Sequence, residues 1–212
     1  MVYLLVKGGI MKELILEMER YASTNNVPII ELDSIKFIMK YIKLNNVKSI
    51  LEIGTAIGYS AILMANANNF CEITTIEKDE KRYKEAVKNV NKSGLDKRIE
   101  IVYNDAMDVN LSGCKYDLIF IDAAKGQYIK YFDKFSNYLN PGGVIITDNL
   151  KFHGLVKNKD LIKSRNVRGI VTKIEKYIDY LKENKEYVTK FYDIGDGLSV
   201  SFKRHEKRQD ID

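Results

Sequence analysis

Residues 50–60, ILEIGTAIGYS, begin as an apolar run that carries the acid Glu52 and then opens into a turn in which three residues separate Gly54 from Gly58. An apolar run followed by a glycine turn and a helical stretch is typical of the strand–turn–helix unit of α/β proteins. The turn lacks the lysine of a phosphate loop and the Gly-x-Gly-x-x-Gly spacing of a dinucleotide fingerprint. The stretch therefore predicts a ligand turn built for something other than a diphosphate.

Further apolar runs follow along the chain, and each ends in polar residues or glycine. Together with the first, they cover residues 48–54, 72–79, 99–105, 116–123 and 143–149. The fourth and fifth, YDLIFIDA and GGVIITDN, are continuous rather than alternating in hydrophobicity. Continuous apolar strands are typical of a parallel sheet that is covered on both faces.

Helical spacing of apolar residues separates these runs. We expect helices over residues 12–23, 31–44, 59–67, 80–93, 128–139 and 159–183, the fifth being stopped by NPGG at 140–143. The closing YVTKFYDIGDGLSVSFKR reads as a hairpin around Gly-Asp-Gly, which makes one strand antiparallel. The order predicts an α/β, Rossmann-like fold with a mostly parallel seven-stranded sheet, a C-terminal antiparallel hairpin and helices on both faces.

The bulk composition indicates a globular protein. The chain has 212 residues, 45% hydrophobic and 30% charged, with a net charge of +5. This length suits one domain, expected over residues 1–204, and the charged tail 205–212 is expected to be disordered. No apolar run approaches the roughly 18 residues that cross a membrane, and no signal peptide is recognisable at the start, so we expect no membrane association and a cytoplasmic location.

The cysteines indicate neither disulfides nor zinc. Cys71 and Cys114 are the two cysteines of the chain, and neither lies in a CxxC motif or a Cys/His cluster. Such a pattern argues against a disulfide framework and a structural zinc site. We expect both side chains to be packing residues.

Acidic residues occur at the ends of all five predicted parallel strands: Glu52, Glu77, Asp105, Asp122 and Asp148. Ligands of open α/β sheets bind at the carboxyl ends of the strands. A set of acids would repel phosphate but suits S-adenosylmethionine, which offers a sulfonium, an ammonium, a ribose diol and an adenine. The strand ends therefore predict a site for this methyl donor.

Individual parts of the donor can be assigned along the sheet edge. Gly54 and Gly58 let the backbone approach the methionine portion and the ribose. Glu77, 25 residues beyond Glu52, can accept the ribose hydroxyls, and Asp105 with Ala106 can meet the adenine. The alternative is that the glycine turn only joins a strand to a helix and binds nothing.

A second set of oxygen ligands follows the fourth and fifth strands. Asp122, Asp148 and Asn149 offer two carboxylates and an amide carbonyl, a donor set suited to Mg²⁺. A metal there would lower the pKa of an acceptor hydroxyl, and Lys125 would take its proton or stabilise the oxyanion. The alternatives are that Asp148 and Asn149 only cap a loop and that Lys125 is a surface lysine.

Four segments together, EIGTAIGYSAI, IDAAKGQY, GGVIITDN and GDGLSVS, resemble the metal-dependent O-methyltransferases, the class of catechol and caffeoyl-coenzyme A O-methyltransferases. Within that class the chain looks most like the bacterial tRNA 5-hydroxyuridine methyltransferases, which form 5-methoxyuridine at the wobble position. The resemblance implies the class I methyltransferase fold, a homodimer, Lys125 as the base and Asp122, Asp148 and Asn149 as metal ligands. It also implies donor contacts at Glu52, Gly54, Ser60, Glu77, Asp105, Ala106 and Asp122.

Two segments differ from that pattern. The first ten residues, MVYLLVKGGI, stand where a longer helical segment is expected, and Met11 is an alternative start. The loop LKFHGLV after the metal pair places Lys151 and His153 where substrate would bind. His153 is therefore a candidate substrate contact, with an exposed loop histidine as the alternative.

Charge after the metal pair bears on the acceptor. Residues 151–176 contain eight Lys and Arg against Asp160 and Glu175, and this local positive charge favours a tRNA anticodon loop as the partner. We expect Arg165 and Arg168 to contact phosphate, with a solvated helix face as the alternative. Candidates for stacking on a splayed base are Tyr59, Tyr128 and Phe152. The hypotheses are thus a tRNA 5-hydroxyuridine O-methyltransferase, an O-methyltransferase of a small catechol or phenol, and a non-catalytic RNA-binding module of the same fold.

Overall fold

The structure is a computed structural model that describes residues 6, 8–158, 160 and 162–204. The chain divides into two compact units, Met1–Asn110 and Leu111–Asp212. The single domain expected over residues 1–204 stays a prediction, and the expected disordered tail 205–212 lies outside the described residues.

The first unit alternates helices and parallel strands. Its elements are α1 (Gly9–Asn25), α2 (Leu32–Leu44), β1 (Ser49–Ile53), α3 (Tyr59–Ala67), β2 (Glu72–Glu77), α4 (Glu80–Ser93) and β3 (Ile99–Tyr103). Strand β2 lies between the other two, with Ile50 opposite Ile73 and Ile73 opposite Ile99. Each predicted strand and helix of this unit is present, with ends that differ from the prediction by a few residues.

The second unit carries the hairpin. Its elements are β4 (Tyr116–Ile121), a 3₁₀ turn (Lys125–Gln127), α5 (Tyr128–Phe135), a second 3₁₀ turn (Ser136–Tyr138), β5 (Leu139–Thr147), α6 (Arg165–Glu183), β6 (Tyr187–Tyr192) and β7 (Leu198–Lys203). Strands β4 and β5 are parallel, whereas β7 is antiparallel to both β5 and β6. The hairpin and its single reversed strand are therefore confirmed.

The strands belong to one seven-stranded sheet in the order β3-β2-β1-β4-β5-β7-β6. The predicted mostly parallel seven-stranded sheet is thus confirmed. The apolar runs that defined it are buried: Ile50, Leu118, Ile119, Val144 and Ile145 have no exposed surface. No helix in the described part of the chain is both long enough and apolar enough to span a bilayer.

Helix α4 shows how local sequence sets the element ends that position a site. Its N-cap Asp79 accepts a hydrogen bond from the Arg82 amide at 2.9 Å, and its C-cap is Gly94, whose φ of 68° is left-handed. A side-chain cap at the start and a left-handed glycine at the end are the usual signals of helix boundaries. Because Asp79 closely follows Glu77, the cap also fixes the end of β2.

The prediction for NPGG was wrong. The helix α5 ends earlier, at Phe135, and residues 140–143 lie inside β5. The pairing of β5 with β4 shifts there, since Tyr116 lies opposite Leu139 but Leu118 lies opposite Val144. The extra residues are accommodated by Gly142, whose φ is 74°, so the glycines serve a bulge rather than a turn.

Two further expectations need correction. The last long helix begins at Arg165 rather than at residue 159. Cys71 is a buried packing residue as expected, but Cys114 is exposed, because it lies in the turn ahead of β4 rather than inside the strand.

Candidate active site

The glycine turn of the first unit is bonded to the end of β2. The amides of Gly54 and Thr55 donate to the Ile76 carbonyl at 3.1 and 3.2 Å. Left-handed φ angles occur at Gly54 (104°), Ala56 (48°) and Gly58 (84°), which glycine tolerates and alanine rarely adopts. The turn is therefore a fixed piece of backbone rather than a loose loop.

The Glu77 carboxylate is hydrogen-bonded to this turn. Its Oε2 accepts from the Ala56 amide at 2.8 Å, and its Oε1 accepts from the amides of Lys78 and Asp79 at 3.0 and 2.9 Å. The residue is only 7% exposed. Since an ionised carboxylate has about four acceptor positions, one is still available to a ligand hydroxyl. Glu77 thus holds the strained Ala56 and can accept from a ribose.

Glu52 and Ser60 are bonded to each other. The Ser60 hydroxyl donates to one carboxylate oxygen of Glu52, and the Thr75 hydroxyl donates to the other, both at 2.5 Å. Glu52 is fully buried. Glu52 therefore links β1 to β2 through Thr75 and to the first turn of α3 through Ser60. Its influence on a ligand would be indirect, because it sets the position of Ser60.

Asp105 and Ala106 follow β3, as the sequence predicts for the adenine end. Asp105 accepts from the Met107 amide at 2.9 Å and from Lys78 Nζ at 3.2 Å, and Ala106 is buried. Sequence reasoning missed Lys78. Its position directly after Glu77, at the end of a neighbouring strand, is the signal that would have found it.

In the second unit, Asp122 and Asp148 directly follow two paired strands. Ile121 and Thr147 lie opposite each other at the ends of β4 and β5, and the Asp148 amide donates to the Ile121 carbonyl at 3.2 Å. Asp148 is fully buried, and its Oδ1 accepts from the Asn149 amide at 2.7 Å. The structure therefore brings the three predicted metal ligands to one edge of the sheet.

Burial raises the pKa of Asp122, Lys125 opposes that rise, and Asp196 adds to it. Asp196 was missed as a site residue, although it is the middle residue of the GDG segment in the hairpin turn. A buried carboxyl with a second acid nearby is costly to ionise unless a cation is close. The electrostatics of this edge thus favour a bound positive charge.

Lys125 supplies one such charge. Its Nζ donates to Asn149 Oδ1 at 2.6 Å and lies 5.9 Å from the centre of the Phe152 ring. The 3₁₀ turn Lys125–Gln127 sets this position at the start of α5. Lys125 is half-buried and bonded to a predicted metal ligand, and its role as a base stays a prediction.

The residues present fit a hard divalent cation by their chemistry. Asp122 and Asp148 offer carboxylates, and Asn149 offers an amide oxygen, which here accepts a hydrogen bond from the Lys125 ammonium. Within the described ranges, no group of three or more His, Cys, Asp or Glu side chains is arranged to hold a metal ion. The predicted set contains only two acids and an amide, and Mg²⁺ remains a prediction.

The predicted substrate contacts differ in position. The His153 side chain is 74% exposed, while its amide donates to Asp196 Oδ1 at 2.6 Å. Arg165 and Arg168 are exposed at the start of α6, and the Arg168 guanidinium donates to the Ile162 carbonyl at 3.3 Å. These residues remain candidates for contacts to a large acceptor.

Two of the three proposed stacking residues are wrong. Tyr59 and Tyr128 are 2% and 1% exposed, and their hydroxyls donate to Glu19 and to the Asp148 carbonyl at 2.7 and 3.0 Å. Buried rings with bonded hydroxyls are structural and cannot receive a base. Phe152, which is half-buried, is the remaining candidate.

Comparison with solved structures defines the class of the fold. A Staphylococcus aureus protein assigned provisionally as a caffeoyl-CoA O-methyltransferase superposes with a TM-score of 0.86 and 38% identity over 90% of this chain and 92% of that one. An O-methyltransferase of Bacillus cereus, solved in complex with SAH, gives 0.78 with 24% identity over 91% of each chain. The fold is therefore the Rossmann-like class I methyltransferase fold.

Sequence comparison gives the family. A family model for O-methyltransferases matches residues 6–204, and the chain belongs to that family. Similar proteins include a caffeoyl-CoA O-methyltransferase of Populus kitakamiensis, 27% identical over 190 residues, 86% of this chain and 80% of that protein. A catechol O-methyltransferase of Niastella koreensis is 35% identical over 131 residues, 59% of each chain. The resemblance to this class is confirmed.

Proposed function

We propose that this O-methyltransferase transfers the methyl group of S-adenosylmethionine, with the help of Mg²⁺ or another divalent ion, to 5-hydroxyuridine at the wobble position of tRNA. The observation that carries the proposal is the 2.6 Å bond from Lys125 Nζ to Asn149 Oδ1 beside the paired strand ends that bear Asp122 and Asp148. It joins a cation to the oxygen donors that the chemistry needs.

The donor side rests on Glu77 and the glycine turn. Three backbone amides orient the Glu77 carboxylate and leave acceptor capacity for ribose hydroxyls. The B. cereus structure contains SAH, the demethylated donor. Together with family membership, these features support S-adenosylmethionine as the cosubstrate.

The acceptor side rests on Asp122, Asp148, Asn149 and Lys125. A divalent ion held by the first three would supply Lewis acidity that lowers the pKa of an acceptor hydroxyl. Lys125, which lies at the Asn149 oxygen, is placed to hold or accept the proton of that hydroxyl. Methyl transfer then depends on keeping the resulting oxyanion and the sulfonium aligned in a dry site.

Exposed positive charge supports tRNA as the acceptor. Helix α6 and the loop before it carry exposed basic side chains at Lys163, Arg165, Arg168, Lys173 and Lys176. Such side chains neutralise phosphates and position a nucleic acid. The half-buried Phe152 ring beside Lys125 offers an apolar face to a splayed base.

A small catechol or phenol is the second candidate, favoured by the names of the similar proteins from Populus and Niastella. Either acceptor would use the same oxygen ligands. Both candidates are enzymes, whereas a non-catalytic RNA-binding module would have no use for Asp122, Asp148 and Asn149.

One experiment separates these possibilities. The purified protein is incubated with radiolabelled S-adenosylmethionine and Mg²⁺, in parallel with bulk tRNA from a strain that lacks 5-methoxyuridine and with catechol. The proposal predicts label in tRNA at a rate well above that in catechol. Label in catechol alone would favour the second candidate, and label in neither would leave the RNA-binding module.

A further inference from the structure

Residues 150–158, which lie between β5 and α6 and are called the acceptor loop below, have an unusual backbone. Phe152 and His153 have φ angles of 49° and 55°, and Asn149 just before the loop has 64°. Side-chain-bearing residues adopt left-handed φ rarely and at a cost in free energy. Something outside the loop must therefore hold this conformation.

The turn between β6 and β7 holds the acceptor loop through hydrogen bonds. The amides of Leu150 and Lys151 donate to the carbonyls of Gly197 and Asp196 at 3.0 and 2.8 Å. The approach is close, since a Cβ on Gly197 would lie 2.8 Å from Lys151 Cγ. Lys151 Nζ also bonds the Gly195 carbonyl at 3.1 Å and pairs with Asp193. The loop and the turn are thus fastened along their backbones.

Asp196 contributes the side-chain part of this contact. Its Oδ1 accepts a hydrogen bond from the His153 amide at 2.6 Å. His153 is one of the two residues of the loop with a left-handed φ angle. The residue is only 5% exposed, so the bond is shielded from water. A hydrogen bond that is shielded from water is costly to lose, because its buried donor is then left unpaired.

The second oxygen of Asp196 adds an independent reason to examine this residue. Oδ2 is buried and has no hydrogen-bond partner among the residues that the structure describes, and His153 Nδ1 lies 3.9 Å away. Within the described structure, the hydrogen bond from the His153 amide is therefore the one that engages this buried carboxylate. Because His153 belongs to the acceptor loop, this hydrogen bond restrains the backbone of the loop.

The held segment carries the aromatic face of the site. The Phe152 ring lies 5.9 Å from Lys125 Nζ and 5.6 Å from the His153 ring. We propose that Asp196 is a positioning residue, which fixes the acceptor loop so that the Phe152 ring stands beside Lys125 and orients a planar aromatic acceptor. The orientation of an acceptor rests on the proposed function, whereas the fastening of the loop does not.

The test compares Asp196→Ala with Asp196→Asn. The asparagine keeps an oxygen that can accept from the His153 amide, and the alanine does not. Asp179→Asn, an exposed change on α6, serves as the control for charge removal. The alanine variant is expected to lower kcat/KM for the acceptor by about tenfold or more, as for one buried bond to a charged group. The asparagine variant is expected to recover most of that loss, and the donor Kd is expected to be unchanged in both.

A second readout does not depend on methyl transfer. Hydrogen exchange of the amides in residues 151–153 is expected to be about tenfold faster in Asp196→Ala and near wild type in Asp196→Asn and Asp179→Asn. If exchange follows this order but no acceptor is methylated by the wild type, the proposed function fails while the fastening stands. An alanine variant with wild-type exchange, or an asparagine variant as impaired as the alanine, would overturn the role of Asp196.

Discussion

Lys125 Nζ and Asn149 Oδ1 are joined by a 2.6 Å hydrogen bond, so an ammonium group lies on an oxygen that the family resemblance assigns to a metal. The loop after β4 and the loop after β5 meet in this bond. The positive charge of Lys125 also opposes the rise in the pKa of Asp122 that burial causes.

Replacement of Lys125 by methionine removes this ammonium while keeping much of the side-chain volume. We expect kcat to fall by about 100-fold or more, the usual contribution of a positioned acid–base group, with the donor Kd unchanged. Steady-state kinetics and calorimetry measure the two. Lys130→Met, an exposed change on α5, is the matched control. Equal activity of both variants would remove Lys125 from the chemistry.

Asp122 gives a prediction with a definite sign. Burial raises its pKa above the unfolded value, so its contribution to folding is complete below the unfolded pKa and is lost as the pH rises through the folded pKa. Asp122→Asn is therefore expected to raise the Tm of the metal-free protein at neutral pH, and this gain should vanish in acid. Differential scanning calorimetry across pH measures it. A lower Tm at neutral pH would contradict the assignment of burial as the cause.

Mg²⁺ should make the Tm of the wild type higher than that of Asp122→Asn, the reverse of the order expected without metal. Added Mg²⁺ is expected to raise the Tm of the wild type by ligand linkage but to leave that of Asp122→Asn nearly unchanged. Asp148→Ala should behave in the same way and should lose methyl transfer. Undiminished methyl transfer by Asp148→Ala would exclude the proposed metal role.

Glu77 provides a test of the donor site. In Glu77→Gln an NH₂ group replaces one carboxylate oxygen, so at least one of the donors at Ala56, Lys78 and Asp79 loses its acceptor. We expect the Kd for S-adenosylmethionine to rise by about tenfold or more, measured by calorimetry. Glu72→Gln, an exposed change at the start of the same strand, should bind like the wild type. An unchanged Kd in Glu77→Gln would mean that the donor does not use this carboxylate.

Two glycines differ in their tolerance of alanine. A Cβ on Gly143 would lie 2.6 Å from Leu139 Cγ, whereas nothing lies within 4 Å of one on Gly169 in α6. Gly143→Ala is therefore expected to cost about 1–3 kcal/mol of unfolding free energy through overpacking, and Gly169→Ala to gain about 0.5–1 kcal/mol as a better helix former. Denaturant titration of both variants decides, and equal stabilities would argue against the bulge in β5.

The sequence predicts the sheet well because burial on both faces makes each strand a continuous apolar run, as in residues 116–121 and 143–147. It fails at NPGG, since proline and glycine signal a break without distinguishing a helix end from a bulge. It places Asp122, Asp148 and Asn149 at the ends of neighbouring strands, because strand ends are local features of the sequence. It misses Asp196 and Lys78, whose contacts at His153 and Asp105 join residues that are far apart in the chain. The burial of Tyr59 and Tyr128 could not be predicted from the sequence, because residue type alone does not distinguish a core tyrosine from one that stacks on a base.

The most direct test uses tRNA from a strain that lacks 5-methoxyuridine. The tRNA is incubated with the protein and with S-adenosylmethionine that carries a deuterated methyl group, in the presence of either Mg²⁺ or EDTA. Nucleoside mass spectrometry then identifies the modified uridines. We expect 5-methoxyuridine carrying the deuterated methyl in the Mg²⁺ sample and unmodified 5-hydroxyuridine in the EDTA sample. Unmodified 5-hydroxyuridine in both samples, or equal methylation in both, would contradict the proposed function.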